Sequence, residues 1–219
     1  MRFIPLTPAR LVDELADWIG ELHGRRIVTA TAGTVVGFDG SAEVGTTELA
    51  DRVAERMRGR GAVVVRATTN WWWRPAALRL ELGREDVDML LTGWVDDEAL
   101  RRELFEPVAG GRPHITRLRD PGTDRSVRQT PARVPAGSVV ILDGPFLLAA
   151  DLPLDASVFA QVGPGALRRS LPDDRQWWLE ADARYGAEYH PADRADVVLS
   201  YDHPSAPAAR GLGQSARPA

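Results

Sequence analysis

The chain contains neither cysteine nor lysine. Without cysteine it forms no disulfide, offers no thiolate to a metal and carries no thiol nucleophile, a usage expected in a reducing cytoplasm. All 27 basic residues among the 219 are arginine. Near the N-terminus no continuous apolar stretch reaches signal or transmembrane length, so a soluble protein without a membrane partner is expected. The net charge is −4, with arginines interspersed among acids, and this leaves no basic field for nucleic acid. His23, His114, His190 and His203 fall at no metal-ligand spacing and are expected at exposed or capping positions. No internal repeat is present.

What is there reads as one α/β domain. Thr7 and Pro8 have the chemistry of an N-cap and first helical residue, ahead of Leu11, Val12, Leu15, Trp18, Ile19 and Leu22 at helical spacing. Thr34 to Phe38, Ala62 to Ala67, Val139 to Leu142, Ser157 to Val162 and Val197 to Tyr201 are short, apolar and largely β-branched, as buried strands are. Between them Leu49, Ala50, Val53, Ala54 and Met57 recur at helical spacing, and Asp97 to Phe105 and Arg175 to Tyr185 also read as helices. Such alternation predicts a mainly parallel sheet covered by helices on both faces. The domain is expected over residues 1–203, and residues 204–219, poor in large apolar side chains, are expected to be disordered.

Between the first buried strand and the helix after it lies Gly40, Ser41, Ala42, Glu43, Val44, Gly45, Thr46, Thr47. The spacing is that of a phosphate-binding loop, GxxxxGK[S/T]. In such a loop backbone N–H groups wrap the phosphates, the lysine reaches the β and γ oxygens and the final hydroxyl holds magnesium. Here Thr46 stands at the lysine. A compositional drift away from lysine would deliver arginine; threonine removes the cation, and Glu43 adds a negative charge where a triphosphate would sit. A second landmark is Ser138 to Gly144, an apolar strand ending in Asp143. The acid is either a magnesium-organising carboxylate or the start of a turn with Gly144, and its pairing with the loop favours the first.

From about Leu6 to about Pro207 the chain resembles the uridine kinase and related nucleoside kinase or phosphoribulokinase-like P-loop family, especially its actinobacterial members. The resemblance rests on GFDGSAEVGTTELA, VVVRATTNWWWRP, DDEALRRELFEPV, RLRDPGTDRSV, SVVILDGPFLL and YHPADRADVVLSYDHP. It implies a P-loop NTPase-like three-layer sandwich with a small lid at about residues 164–186, ATP and Mg2+ as cofactors, and a small-molecule hydroxyl as phosphoryl acceptor. Thr47 and Asp143 would organise the metal. Arg168, Arg169 and Arg175 fall where such kinases carry a lid, and an arginine there would replace the missing lysine.

The departures cluster at the chemistry. Aligned on Arg74 and Pro75, Asn70 stands where the family has an aspartate near the acceptor hydroxyl, and Trp72 and Trp73 stand where Phe and His are common. A positioned base contributes about 10²–10⁴-fold, and Asn is not one. The segment Leu90 to Asp97, with Trp94, replaces a Tyr- and Asp-bearing substrate segment. Seven tryptophans, five of them in Trp71 to Trp73 and Trp177 to Trp178, suggest an aromatic wall at Trp72, Trp73 and Trp94, which stabilises planar or cationic ligands by roughly 0.5–2 kcal/mol per contact. Three readings stand: a kinase acting on an alcohol, a pseudokinase binding a nucleotide or partner, and a repurposed pocket for an apolar or cationic metabolite. A homo-oligomer is compatible with each.

Overall fold

The computed structural model describes residues 2–29 and 33–212. Its elements run β1 (Ile4–Pro5), α1 (Pro8–Thr29), β2 (Thr34–Asp39), α2 (Thr46–Gly59), β3 (Val64–Thr68), α3 (Ala76–Arg79), α4 (Asp97–Leu100), α5 (Glu106–Ala109), β4 (Val139–Gly144), β5 (Ala156–Gln161), α6 (Pro164–Ser170), α7 (Trp178–Tyr189), α8 (Pro191–Arg194), β6 (Val197–Ser200) and β7 (Ala208–Arg210). A π-helical turn, Arg101–Phe105, joins α4 to α5, so the helix expected from Asp97 continues to Ala109.

Local chemistry sets the helix starts. The Thr7 hydroxyl accepts from the Arg10 amide at 3.2 Å, ahead of Pro8 in the first turn of α1. Asp96 caps α4 by accepting from the Ala99 amide at 2.9 Å. Gly45 has φ 89°, and this left-handed turn into α2 favours glycine.

The sheet order is β1-β7-β6-β5-β2-β4-β3, with β3, β4, β2, β5 and β6 parallel. Successive strand residues face opposite layers. Val36, Phe38, Val139, Ile141 and Val158 meet Leu11, Leu15 and Ile19 of α1 and Leu49, Val53 and Met57 of α2. Val65, Ala67, Val140 and Leu142 meet Leu100, Leu104 and Val108 on the other side. Helices therefore cover both faces, and the expected three-layer α/β class is observed. Among the described residues no helix is long and apolar enough to cross a membrane.

Two expectations are corrected. The chain beyond 203 is not wholly disordered: Ala208–Arg210 pairs antiparallel with both β6 and β1, because small residues fit an edge whose backbone groups would otherwise be unpaired. Residues 213–219 lie outside those described. His114 is buried rather than exposed, its backbone exchanging hydrogen bonds with Ala132 at 2.9 Å.

Register places the chemistry. Phe38 pairs with Asp143 and Asp39 with Gly144, and Thr68 also pairs with Asp143. Asp39, Thr68 and Asp143 thus end three adjacent parallel strands at one edge, beside the strand-order reversal at β2, where open α/β sheets form their crevice.

Candidate functional site

The loop Gly40 to Thr47 leaves β2 and enters α2 as the sequence predicts, but its own groups close it. Ala42–Val44 forms a 3-10 turn in which the Val44 amide donates to Ser41 O at 3.3 Å and the Gly45 amide to Ala42 O at 2.9 Å. Those two N–H groups are committed within the loop. The Ser41 hydroxyl donates to Glu43 Oε2, and Arg175 Nη1 donates to Glu43 Oε1 as an ion pair. Thr46, 1% exposed, lies against Gly40: a Cβ added there would stand 2.5 Å from Thr46 Oγ1, a buried oxygen without a hydrogen-bond partner.

The second landmark is tied up in the same way. Thr47 Oγ1 donates to Asp143 Oδ2 at 2.5 Å, and Arg66 Nη1 stands 2.7 Å from Oδ1 as an ion pair out of line for a hydrogen bond. Arg66 reaches from β3 and also donates to Asp51 Oδ1 at 2.8 Å. Asn70, Thr47, Asp143, Glu43, Arg175 and Trp178 share a crevice of only about 10 Å³, about one water.

Do these residues suit Mg2+ and ATP? Asp143 Oδ2 is taken by Thr47 and its Oδ1 is ion-paired with Arg66, the crevice has no room for a hydrated cation, and Glu43 occupies the loop mouth. On the outer side, a cleft of about 300 Å³ between the loop, α6 and the segment after β6 presents the carboxylates of Glu43, Glu48 and Asp202 and no arginine. Among the described residues no three acids or histidines converge to hold a metal. The residues as folded do not fit Mg2+-ATP.

Of the expected substrate side chains, none lines these crevices. Trp72 is fully buried behind β3 and β4 with Leu100 and Leu104. Trp73 and Trp94 pack edge to face at 5.0 Å, and Arg79 lies over both rings, 5.1 and 5.0 Å from their centres. The protein's own guanidinium thus fills the cation position that the tryptophan wall was expected to offer a ligand. Arg74 stands 3.5 Å from Asp97. Arg168 and Arg169 are exposed on α6; the arginine that reaches the loop is Arg175, in the 3-10 turn Asp173–Arg175 that follows α6. Trp178 is the crevice tryptophan. It stands 6.0 Å from Trp94 and 6.0 Å from Phe146, and the Arg175 guanidinium lies 5.3 Å from its ring centre.

Trp178 also walls a second cavity with Asp39, Asp182 and Tyr185. The Tyr185 hydroxyl donates to Asp39 Oδ2, and the Leu148 amide approaches the same oxygen at 3.3 Å. Burial nevertheless pushes the Asp39 carboxyl up to about 6, these hydrogen bonds offsetting only part of the desolvation. Burial alone pushes Asp182 up to about 6 as well. It also raises the Tyr185 phenol, and the Asp39 charge adds to that rise. Sequence reasoning missed Arg66, Asp39, Asp182 and Tyr185. Two carried a signal: Asp39 ends an apolar strand as Asp143 does, and Arg66 is the one charge within Val64–Thr68.

No protein-family model and no curated protein sequence matches the chain. Solved structures do. A possible uridine kinase from Bacillus stearothermophilus superposes with a TM-score of 0.59 at 24% identity, covering 84% of this chain and 98% of that one. A protein assigned as a fructose transport system kinase from Silicibacter sp. gives 0.55 at 20% identity, over 86% of this chain and 89% of that one. The YGR205w protein gives 0.58 at 13%, over 89% and 93%. The chain has the fold of P-loop kinases.

Proposed function

We propose that this chain is a kinase-fold protein that does not transfer phosphate from ATP: its phosphate loop is a structural element, and the cavity on the other side of Trp178 binds a small molecule. The observation that carries this reading is the Glu43 carboxylate, which occupies its own loop and is held there by Ser41 and Arg175. A carboxylate at that point supplies the anion that the loop would otherwise take from a ligand, and it repels a second one. Thr46 adds no cation to reverse this.

Calorimetric titration with Mg2+-ATP at low salt tests it, on the native chain and on the double variant Glu43→Gly with Thr46→Lys. No heat from the native chain and recovery in the double variant is expected. Micromolar binding by the native chain would overturn the reading. It would favour the alternative, a small-molecule kinase, for which one observation speaks: Arg175 lines the same crevice as Asn70, Thr47 and Asp143, so opening its pair with Glu43 would leave a guanidinium at the loop mouth.

A further inference from the structure

Beneath α6 and α7, between the loop and the ends of β2 and β5, lies a cavity of about 30 Å³. That is space for about two waters or one small ionic head group. Phe146, Phe159, Leu167 and Trp178 give it apolar walls, and two carboxyl groups enter it, Asp39 from β2 and Asp182 from α7. Asp182 and Tyr185 are three residues apart on one helix and so share its face.

Neither carboxyl meets a cation of the protein among the described residues. Asp39 is 1% exposed, its Oδ2 takes the Tyr185 hydroxyl, and its Oδ1 is buried without a well-formed hydrogen bond, although the Phe146 and Leu147 amides lie near the carboxyl. Asp182 has no hydrogen bond or ion pair within the described residues. Arg194 approaches from α8 but donates to the Leu148 carbonyl at 2.5 Å, and Arg175 is engaged by Glu43 outside the cavity. A buried acid without a counter-charge, as Asp39 is, is costly, and the partly exposed Asp182 adds a second negative charge beside the same cavity.

The chemistry that answers this arrangement is narrow. A magnesium or calcium ion needs about six oxygen ligands, and aromatic walls supply none. Ring faces such as Trp178 and Tyr185 do favour an organic cation. The unpartnered Oδ1 of Asp39 calls for an N–H donor, which a quaternary ammonium lacks.

We propose that this cavity binds the primary ammonium head of a small aliphatic amine, held between Asp39 and Asp182 with its first carbons against Trp178 and Phe159. Gly40, Ser41 and Val44 of the phosphate loop also line this cavity, but its carboxylates are neither Glu43 nor Asp143, so the titration with amine reads a different set of charges from the titration with Mg2+-ATP.

Calorimetric titration of the full chain at neutral pH with ethylammonium, ethanol and tetramethylammonium tests it. Saturable binding of ethylammonium alone is expected, weakened at least about tenfold in Asp182→Asn. Leu167→Trp, which fills the cavity while leaving both acids in the chain, is expected to abolish binding, so the assignment does not hang on one variant folding. Absence of saturation at roughly 10 mM ethylammonium would overturn the proposal. Equal binding of ethanol would reduce the cavity to an apolar slot, equal binding of tetramethylammonium would remove the need for N–H donors, and undiminished affinity in both variants would place the amine elsewhere; each of these refutes it.

Discussion

The two sides of Trp178 treat negative charge in opposite ways. On the loop side Glu43 meets Arg175 and Asp143 meets Arg66, and the space between them is about 10 Å³. On the side under α6 and α7, Asp39 and Asp182 meet no arginine, and a cavity of about 30 Å³ persists. Where the chain supplies its own counter-ion the crevice closes; where it does not, a cation is left to be supplied from outside. The fold fixes where strands end, but the matching of charge at those ends decides which crevice is open to a ligand.

The comparison breaks most completely if the wall between the sides is removed. Trp178→Ala deletes a buried ring packed on Trp94, Phe146 and Trp177, and is expected to cost about 3–5 kcal/mol in urea unfolding. Next, Arg66→Ala strips the counter-ion from Asp143, itself 1% exposed, for a loss of about 3 kcal/mol. Adding Asp143→Asn to that variant should return much of the loss, and a double variant no more stable than Arg66→Ala would show that Arg66 acts through packing rather than charge.

Asp182→Asn sharpens the contrast in the other direction. Burial raises this carboxyl from 3.8 to about 6, so between those values the folded chain holds a proton that the unfolded chain has released. Its stability contribution is present at low pH and lost as pH rises through about 6. The variant should therefore be more stable than the native chain at pH 7, by about 1 kcal/mol after discounting for partial exposure, with the gain vanishing near pH 4. Unfolding measured at both pH values checks the sign. The smallest effect is expected for Glu43→Gln, whose partly exposed pair with Arg175 is worth about 0.5 kcal/mol, readable as a small shift of the melting temperature.

Much of this was legible in the sequence and some was not, for reasons that particular residues make plain. The strands Thr34–Asp39 and Val139–Gly144 announce themselves by unbroken apolar runs, because a parallel strand buried on both faces tolerates nothing else. The missing lysine at Thr46 is equally visible. Trp72 and Trp73 misled, because consecutive aromatic residues do not declare which of them faces a core and which a crevice. Trp72 went into the layer behind β3 and β4, and Trp73 found Trp94 and Arg79. Of the three arginines expected in the lid region, Arg168 and Arg169 stay exposed on α6, while Arg175 reaches Glu43 across 132 positions of chain.

By itself the sequence determined the α/β class, the loop between β2 and α2, the absence of its cation and the acid at the end of β4, since each is a local pattern of polarity, branching or glycine along a few residues. The tertiary structure alone decided which charges neutralise one another. Arg66 with Asp143 and Arg175 with Glu43, against Asp39 and Asp182 with neither, are long-range pairings set by strand register and by where α7 comes to rest over the sheet. Coulomb interaction and desolvation depend on distance through space, and no spacing along the chain encodes that distance.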